Sequence, residues 1–464
     1  MLPFSAPLPH IVTRALPFAD VGSRLAGWFE QTRSAALISD GGPHKATLGR
    51  YSYLMAEPDA VASLAYNDPA DIARLLRDAT AFVTPEGRLD LPPFCGGLIG
   101  MAAFELGLRL ENMKRRPFRI EGRKAWPELI LMRFPAVLAF DHSAETLTAI
   151  GRGATPRQAQ AVMERLIALY DATPANAPSH GAFSENSLQS ETPDGMFEDK
   201  VAALVKQIHA GDLFQANLAR GWIGTLRDRA TPGEVMAALH LRGPAPFGGF
   251  LRFDERAIVS NSPERFIRLD GDGRLETRPI KGTRPRGRTA SEDTALGAEL
   301  LASDKDRAEN LMIVDLMRHD LSRVAEIGSV SVPALNGLES YANVHHLVST
   351  VTARLSAGGR AADVLCATFP PGSISGAPKV QAMKVIYEME AARGPYCGSL
   401  FWIDANGAMD SNVLIRTIAF EKDEQSRWQF RVCAGGGIVA DSDPRAERIE
   451  TETKLSLIKA VLEG

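Results

Sequence analysis

The chain has 464 residues, 45% of them hydrophobic and 23% charged, with a formal net charge of −4 at pH 7. That balance is ordinary for a soluble globular protein and gives no electrostatic reason to expect nucleic acid or an anionic membrane as partner. Four widely spaced cysteines (Cys95, Cys366, Cys397, Cys433) form no C-x-x-C pair, so neither a zinc site nor a disulfide framework is indicated, and a reduced, cytoplasmic setting is expected.

The N-terminal stretch MLPFSAPLPHIVTRALPF is broken by prolines and lacks the continuous apolar run of a signal peptide. No later stretch approaches the roughly 18 uninterrupted apolar residues of a spanning helix. Residues 1–172 read as one block. RFPAVLAFD (133–141) and TLTAIG (146–151) are strand-like, with Asp141-His142-Ser143 as a hairpin loop between them. PPFCGGLIGMAAFE (92–105) is glycine-rich, which permits tight turns and close packing without by itself defining a phosphate loop. TPRQAQAVMERLIALYDA (155–172) has the periodicity of a helix and closes the block.

TPANAPSHGAFSENSLQSETPDG (173–195), rich in Pro, Ser, Asn and Gly, reads as a linker. The second block fills 196–464. MFEDKVAALVKQIHAGD (196–212) spaces Phe197, Val201, Leu204 and Ile208 as a helix, with Gly211 as its stop. LFQANLARGWIG (213–224) alternates like a strand. Helix and strand signals recur without a βαβ rhythm, which predicts an α+β fold with antiparallel sheets.

Three stretches could carry chemistry. In RPIKGT (278–283), Lys281 lies near Arg278, Arg284 and Arg286. Neighbouring cations or desolvation would lower its pKa and free the amine; a cationic loop that merely grips an anion is the plainer reading. In SDKDRAENLMIVDLMRHDLSRV (303–324), Ser303 can cap a helix that puts Asp306 and Glu309 on one face. In DSDPRAERIETETKLSLIKAVLEG (441–464), Asp443 can cap, Pro444 suits the first turn, and Glu447, Glu450 and Lys454 share a face. Each helix alone could be a dipole-complementing or solvated face. Together their four carboxylates could hold a Mg²⁺ ion, which is bound by one or two carboxylates, water and an anionic ligand.

In combination these motifs resemble the chorismate-utilising enzymes. The resemblance covers nearly all of 196–464: GDLFQANLAR (211–220), SPERF (262–266), RPIKGT (278–283), DRAENLMIVDLMRHDLSRV (306–324), VHHLVS (344–349), FPPGSISGAPK (369–379), VLIRT (413–417), AGGGIVADS (434–442) and ERIETETK (447–454). PFCGGLIGMAAFE and RYSYLMAEP (50–58) extend it more loosely into the first block. The resemblance implies an anthranilate synthase component I-like, two-part α+β structure, with antiparallel sheets packed face to face, helices outside and the two halves interwoven. It also implies a Mg²⁺-dependent chorismate site. Glu309 and Glu450 would ligate the metal, with Asp306 and Glu447 supporting it. Arg416, Tyr396, Lys454 and the amides near Gly435 and Gly437 would hold carboxylates. Ser375 and Gly376 would form part of the ligand-binding turn, Thr283 would touch substrate, and His346 falls at the family's active-site histidine.

Two positions narrow the branch. Members that add water at C2 carry a base lysine where this chain has Gln215, and anthranilate-forming members usually carry alanine where it has Lys281. A lysine there marks the aminodeoxychorismate branch, in which it attacks C2 of chorismate before ammonia attacks C4. Glu264, in SPERF, is then the candidate general acid/base, with a structural salt bridge as its alternative. The nucleophilic cysteine elbow and His-Glu pair of a glutaminase are missing from the sequence, so a separate glutamine amidotransferase subunit is expected to supply ammonia. An anthranilate-forming component I is the alternative reading; its Leu-Leu-Glu-Ser feedback motif is replaced here by ALISDGG (36–42).

Overall fold

The computed structural model describes residue 4 and residues 6–39, 48–82, 91–120, 123–175, 181–341 and 344–464. Residues 40–42 of the ALISDGG stretch lie outside the described residues. Ala36 to Ile38 end the strand Arg33–Ile38.

Two antiparallel sheets form the frame, one of twelve and one of ten strands among the described residues. Both draw on both sequence blocks. In the larger sheet, five strands between His10 and Gly153 run edge to edge into strands from the second block, the join being Arg33–Ile38 against Phe247–Phe253. In the smaller sheet the join is Gly97–Ala102 against Ser399–Asp404.

The sheets pack face to face. Ile99, Met101, Ile130 and Met132 from the smaller sheet meet Val137, Ala139, Leu251 and Ile258 from the larger one in a shared apolar layer. Helices close the outer faces. Pro156–Ala172, Pro232–Arg242 and Pro444–Glu463 contribute Met163, Val235, Leu455 and Ile458 over the larger sheet. Lys379–Met389 packs Ala382 and Val385 against Ala216 and Leu218 of the same sheet. Asp304–Ser322 contributes Ile313 and Met317 over the smaller one. Burying one stripe of each helix on a sheet face is the usual solution for amphipathic elements.

Local signals explain the elements. Ser303 caps its helix, accepting from the Asp306 amide at 3.3 Å, and Asp443 caps the last helix, accepting from the Ala446 amide at 2.8 Å. Gly211 takes φ +87° after the helix Asp194–His209 ends, which favours glycine. One expectation is corrected. RFPAVLAFD is not a single strand: Leu129–Phe134 belongs to the smaller sheet and Ala136–Asp141 to the larger. Pro135 sits at the switch, where its missing N–H interrupts a ladder and the chain can leave one sheet for the other.

Glycine spacing sets the central layer. Gly100 lies opposite Phe401, and a Cβ there would fall 2.1 Å from the ring. Gly100→Ala should therefore destabilise by about 1–3 kcal/mol through overpacking, read as a lower Tm. Adding Phe401→Leu should recover part of that loss, because the two sites couple. Equal Tm in wild type and Gly100→Ala would show that the ring has room to move.

Candidate functional site

The edge strand Ile280–Pro285 carries Lys281 and Thr283 and pairs with Val344–Arg354. The register shifts between those two residues, at Gly282, whose φ is +72°. A Cβ on Gly282 would lie 2.8 Å from Leu300 Cδ1 and 2.9 Å from Asp306 Cγ. Glycine here allows the helix Asp304–Ser322 to descend onto the strand. Arg284 then fixes Asp306, donating to its Oδ2 at 3.3 Å.

The second wall comes from the larger sheet. Strands Gln215–Thr225 and Trp428–Ile438 pair so that Asn217 faces Gly437 and Ala219 faces Gly435. A Cβ on Gly436 would lie 3.0 Å from Glu447 Oε2 and 3.7 Å from Glu450 Oε1. One on Gly437 would lie 2.0 Å from Gln215 Nε2 and 3.4 Å from Lys281 Nζ. The glycine run is thus the bare floor on which the last helix lays its acids and beside which the lysine ends.

The four carboxylates are brought into one electrostatic group. Glu309 feels Asp306 and Glu450, and Glu447 feels Glu450. Burial pushes Glu309 and Glu447 above the usual carboxylate range. Burial acts on Glu450 too, but the Lys454 ammonium, 2.6 Å away, holds it below that range. Lys454 also donates to the Gly435 carbonyl at 2.9 Å, and Ser442 donates to Glu447 at 2.7 Å. These acids are an all-oxygen donor set of the kind a hard divalent cation prefers. Among the described residues no three His, Cys, Asp or Glu side chains converge tightly enough to hold a metal on their own. An ion bound by two of them would complete its shell with water and a ligand oxygen.

Lys281 is partly buried, and desolvation lowers its pKa, with Lys454 adding repulsion; Glu309, Glu264 and Glu450 oppose the shift. Of the two sources of pressure that the sequence left open, desolvation acts and the three arginines of the segment do not. Each is matched by a carboxylate: Arg278 by Glu339, Arg284 by Glu299 and Asp306, Arg286 by Asp293. Glu264 is 6% exposed and burial raises it to about 7, with a Ser373 hydrogen bond, Lys281 and Lys454 acting the other way.

His346, across from Thr283, shares a 3.0 Å hydrogen bond between Nδ1 and the Thr283 hydroxyl. Burial and the nearby Arg416 depress it to about 4, so it is a neutral imidazole at pH 7. Arg416 stands at φ +51° with its own pKa lowered by burial, and it makes no ion pair among the described residues. Ser375 and Gly376 form the turn against the strand from Gln215: Ser375 accepts from the Asn217 amide at 2.9 Å and Gly376 pairs with Ala216. Tyr396 is buried with Arg393, whose guanidinium is 5.9 Å from its ring, and Cys433.

Three further residues join the site. Gln215 is 1% exposed and its Oε1 has no hydrogen-bond partner. Sequence reading used it only to separate branches. Ser373 bonds Glu264, and Lys305 acts on Glu309, Glu447 and Glu450. Lys305 was findable, being four residues before Glu309 on one helix face. Ser373 was not, because it meets Glu264 only through the fold.

Two antiparallel sheets, each drawing on both sequence blocks, with a lysine set among carboxylates point to the class of protein, and comparison with known proteins agrees. Residues 37–460 match the chorismate binding enzyme family, and the chain belongs to that family. It is 41% identical over 375 residues to aminodeoxychorismate synthase component 1 of Klebsiella aerogenes, covering 80% of this chain and 78% of that one. It is 37% identical over 374 residues to anthranilate synthase component 1 of Thermus thermophilus, covering 80% and 79%. Its fold matches the crystal structure of anthranilate synthase component I from Streptococcus pneumoniae with a TM-score of 0.76, at 28% identity, over 88% of this chain and 92% of that one. This is a chorismate-utilising enzyme.

The burial of Glu264 has a signed consequence for stability. Its folded pKa, about 7, lies above its unfolded value of 4.5. The folded state therefore binds the extra proton between those values, and stability falls as pH rises through them. Glu264→Gln keeps the shape without the charge. Its stability should match wild type at pH 4 and exceed it at pH 8 by on the order of 2–3 kcal/mol, read by denaturant unfolding at the two pH values. A margin independent of pH would rule out a buried, titrating carboxyl.

Proposed function

We propose that the chain is an aminodeoxychorismate synthase component I, converting chorismate and ammonia to 4-amino-4-deoxychorismate in the cytoplasm. The observation that carries this reading is the Lys281 amine, partly desolvated and set between Glu264 and the acids of two helices. Its Klebsiella aerogenes relative bears the same component name. That word implies a second component, for which we propose a separate glutamine amidotransferase that releases ammonia.

In this mechanism the neutral Lys281 amine attacks C2 of chorismate. The ring double bond shifts and the C4–O bond breaks, and Glu264, half protonated near pH 7, gives its proton to the departing hydroxyl, which leaves as water. Ammonia then attacks C4, the double bond shifts back, the C2–N bond breaks and Lys281 leaves as the amine, Glu264 taking up the released proton. Gln215 has no base to offer at C2, which disfavours addition of water there. Arg416, Lys454 and the amides around Gly435 and Gly437 bind substrate carboxylates, with Ser375, Gly376, Thr283 and Tyr396 contributing to the pocket and neutral His346 orienting Thr283. Mg²⁺ would be held by Glu309 and Glu450, supported by Asp306 and Glu447; when bound, it supplies charge neutralisation for the ring carboxylate.

Incubation with chorismate, Mg²⁺ and ammonium, with the product identified by mass, is the direct test. 4-Amino-4-deoxychorismate is expected; anthranilate with pyruvate would instead assign the activity named for the Thermus thermophilus relative. Lys281→Ala should lose 4-aminobenzoate formation in a lyase-coupled assay while still binding chorismate. Undiminished turnover, with no lysine adduct trapped in wild type, would sink the covalent step. Glu309→Gln or Glu450→Gln should raise the Mg²⁺ concentration needed for half-maximal rate, and chelation should stop wild-type turnover until Mg²⁺ is restored. Activity insensitive to chelation would remove the metal from the reading.

A further inference from the structure

A second cavity lies at the other end of the strand that floors the Lys281 site. Trp428 opens the strand Trp428–Ile438, and Gly437 stands near its far end. Around Trp428, the loop 227–231, the end of the short helix Leu25–Phe29, Arg252 and the turn 425–427 enclose about 410 Å³. Small-molecule sites occupy roughly 300–1,000 Å³.

The lining is strongly cationic. Arg227, Arg229, Arg252, Lys422 and Arg427 face the space, against Glu30 and Asp228. Two of the cations are committed: Arg227 Nε donates to the Ser184 carbonyl at 3.0 Å, and Arg427 pairs with Asp423 at 3.1 Å. Among the described residues, Arg229, Arg252 and Lys422 make no ion pair; Asp254, the acid adjoining Arg252, is paired with Arg33.

Arg252 is the deepest of the three, 7% exposed. Its guanidinium packs 4.9 Å from the Phe29 ring and 5.7 Å from that of Trp428, and it donates to the Phe29 carbonyl at 2.6 Å. Lys422 Nζ lies 5.2 Å from the Trp428 ring. A buried guanidinium facing an open cavity without a carboxylate partner is costly unless an anion completes it. Burial indeed lowers its pKa, with Glu30 and Asp254 opposing the shift.

We propose that this cavity binds a small organic anion carrying two or more carboxylate or phosphate groups, held by Arg252, Arg229 and Lys422. Arginine forks match either group in paired hydrogen bonds, and a dianion would offset the excess of positive charge. None of the cavity's lining residues belongs to the Lys281 cluster, so the site is separate from the chorismate chemistry.

Because Arg252 also braces two rings, the decisive variant is Arg229→Gln/Lys422→Gln, which changes two surface-reaching side chains and leaves the packing in place. The full chain is titrated calorimetrically with pyrophosphate in one arm and citrate in the other, free of divalent metal and at constant ionic strength. Saturable binding to wild type is expected in at least one arm, with affinity at least tenfold weaker in the double variant and an unchanged Tm without anion. Preference for pyrophosphate assigns a phosphate-bearing ligand; preference for citrate assigns a polycarboxylate. Absence of saturable binding to wild type in both arms, or equal affinity in wild type and the double variant, overturns the proposal.

Discussion

The site rests on one electrostatic constraint: Lys281 must sit among carboxylates without being captured by any of them. Glu309, Glu264 and Glu450 all favour its charged form, while desolvation and Lys454 favour the neutral one. The net shift is downward. That outcome depends on the acids being divided among competing cations. Glu450 is taken by Lys454, Asp306 by Arg284, and Lys305 spreads its field over Glu309, Glu447 and Glu450. Of the arginines of 278–286, Arg278 and Arg286 are held outside this cluster by Glu339 and Asp293, while Arg284 is shared between Glu299 and the cluster's Asp306.

The fold supplies that geometry by bringing an edge strand of the smaller sheet to an inner strand of the larger one. The first is the bulged strand of Lys281, and the second contributes glycines at 435–437. These glycines do different work. Gly282 needs a positive φ and lets a helix approach. Gly436 and Gly437 are required for space: a methyl at 437 would strike Gln215, and one at 436 would crowd Glu447. A side chain at either place would push apart groups that belong to separate elements, so the sheet's regular ladder and the site's chemistry are set by the same residues.

Much of this was legible because it is local. The helix starts at Ser303 and Asp443 follow from side-chain capping of the next turn, and the Glu450–Lys454 pair follows from a four-residue step. The antiparallel α+β class followed from the missing βαβ rhythm. What could not be read was which segments meet. Glu264 and Ser373 are more than a hundred residues apart and share a hydrogen bond only because a loop and a turn converge. The Pro135 switch was hidden because its flanking apolar runs look continuous, yet they serve opposite sheets. The arginines near Lys281 could be read only as one possible source of repulsion, because the carboxylates that match them, Glu339, Glu299 and Asp293, lie outside the motif itself.

The same dehydration acts in opposite directions on the two groups that the chemistry needs. It raises Glu264 to about 7 and lowers Lys281, because in each case it disfavours the charged form. An exposed pair would be carboxylate and ammonium at neutral pH, useless both as proton donor and as nucleophile. Burial moves the pair toward acid and amine, the states in which one can protonate a leaving oxygen while the other attacks carbon. Ser373 and Lys454 temper the shift of Glu264, and Glu309 tempers that of Lys281, so both remain able to change state during a turnover. The acid–base balance of the site therefore follows from how much water the glycine floor and the two helices exclude, and it is set by packing as much as by any single charge.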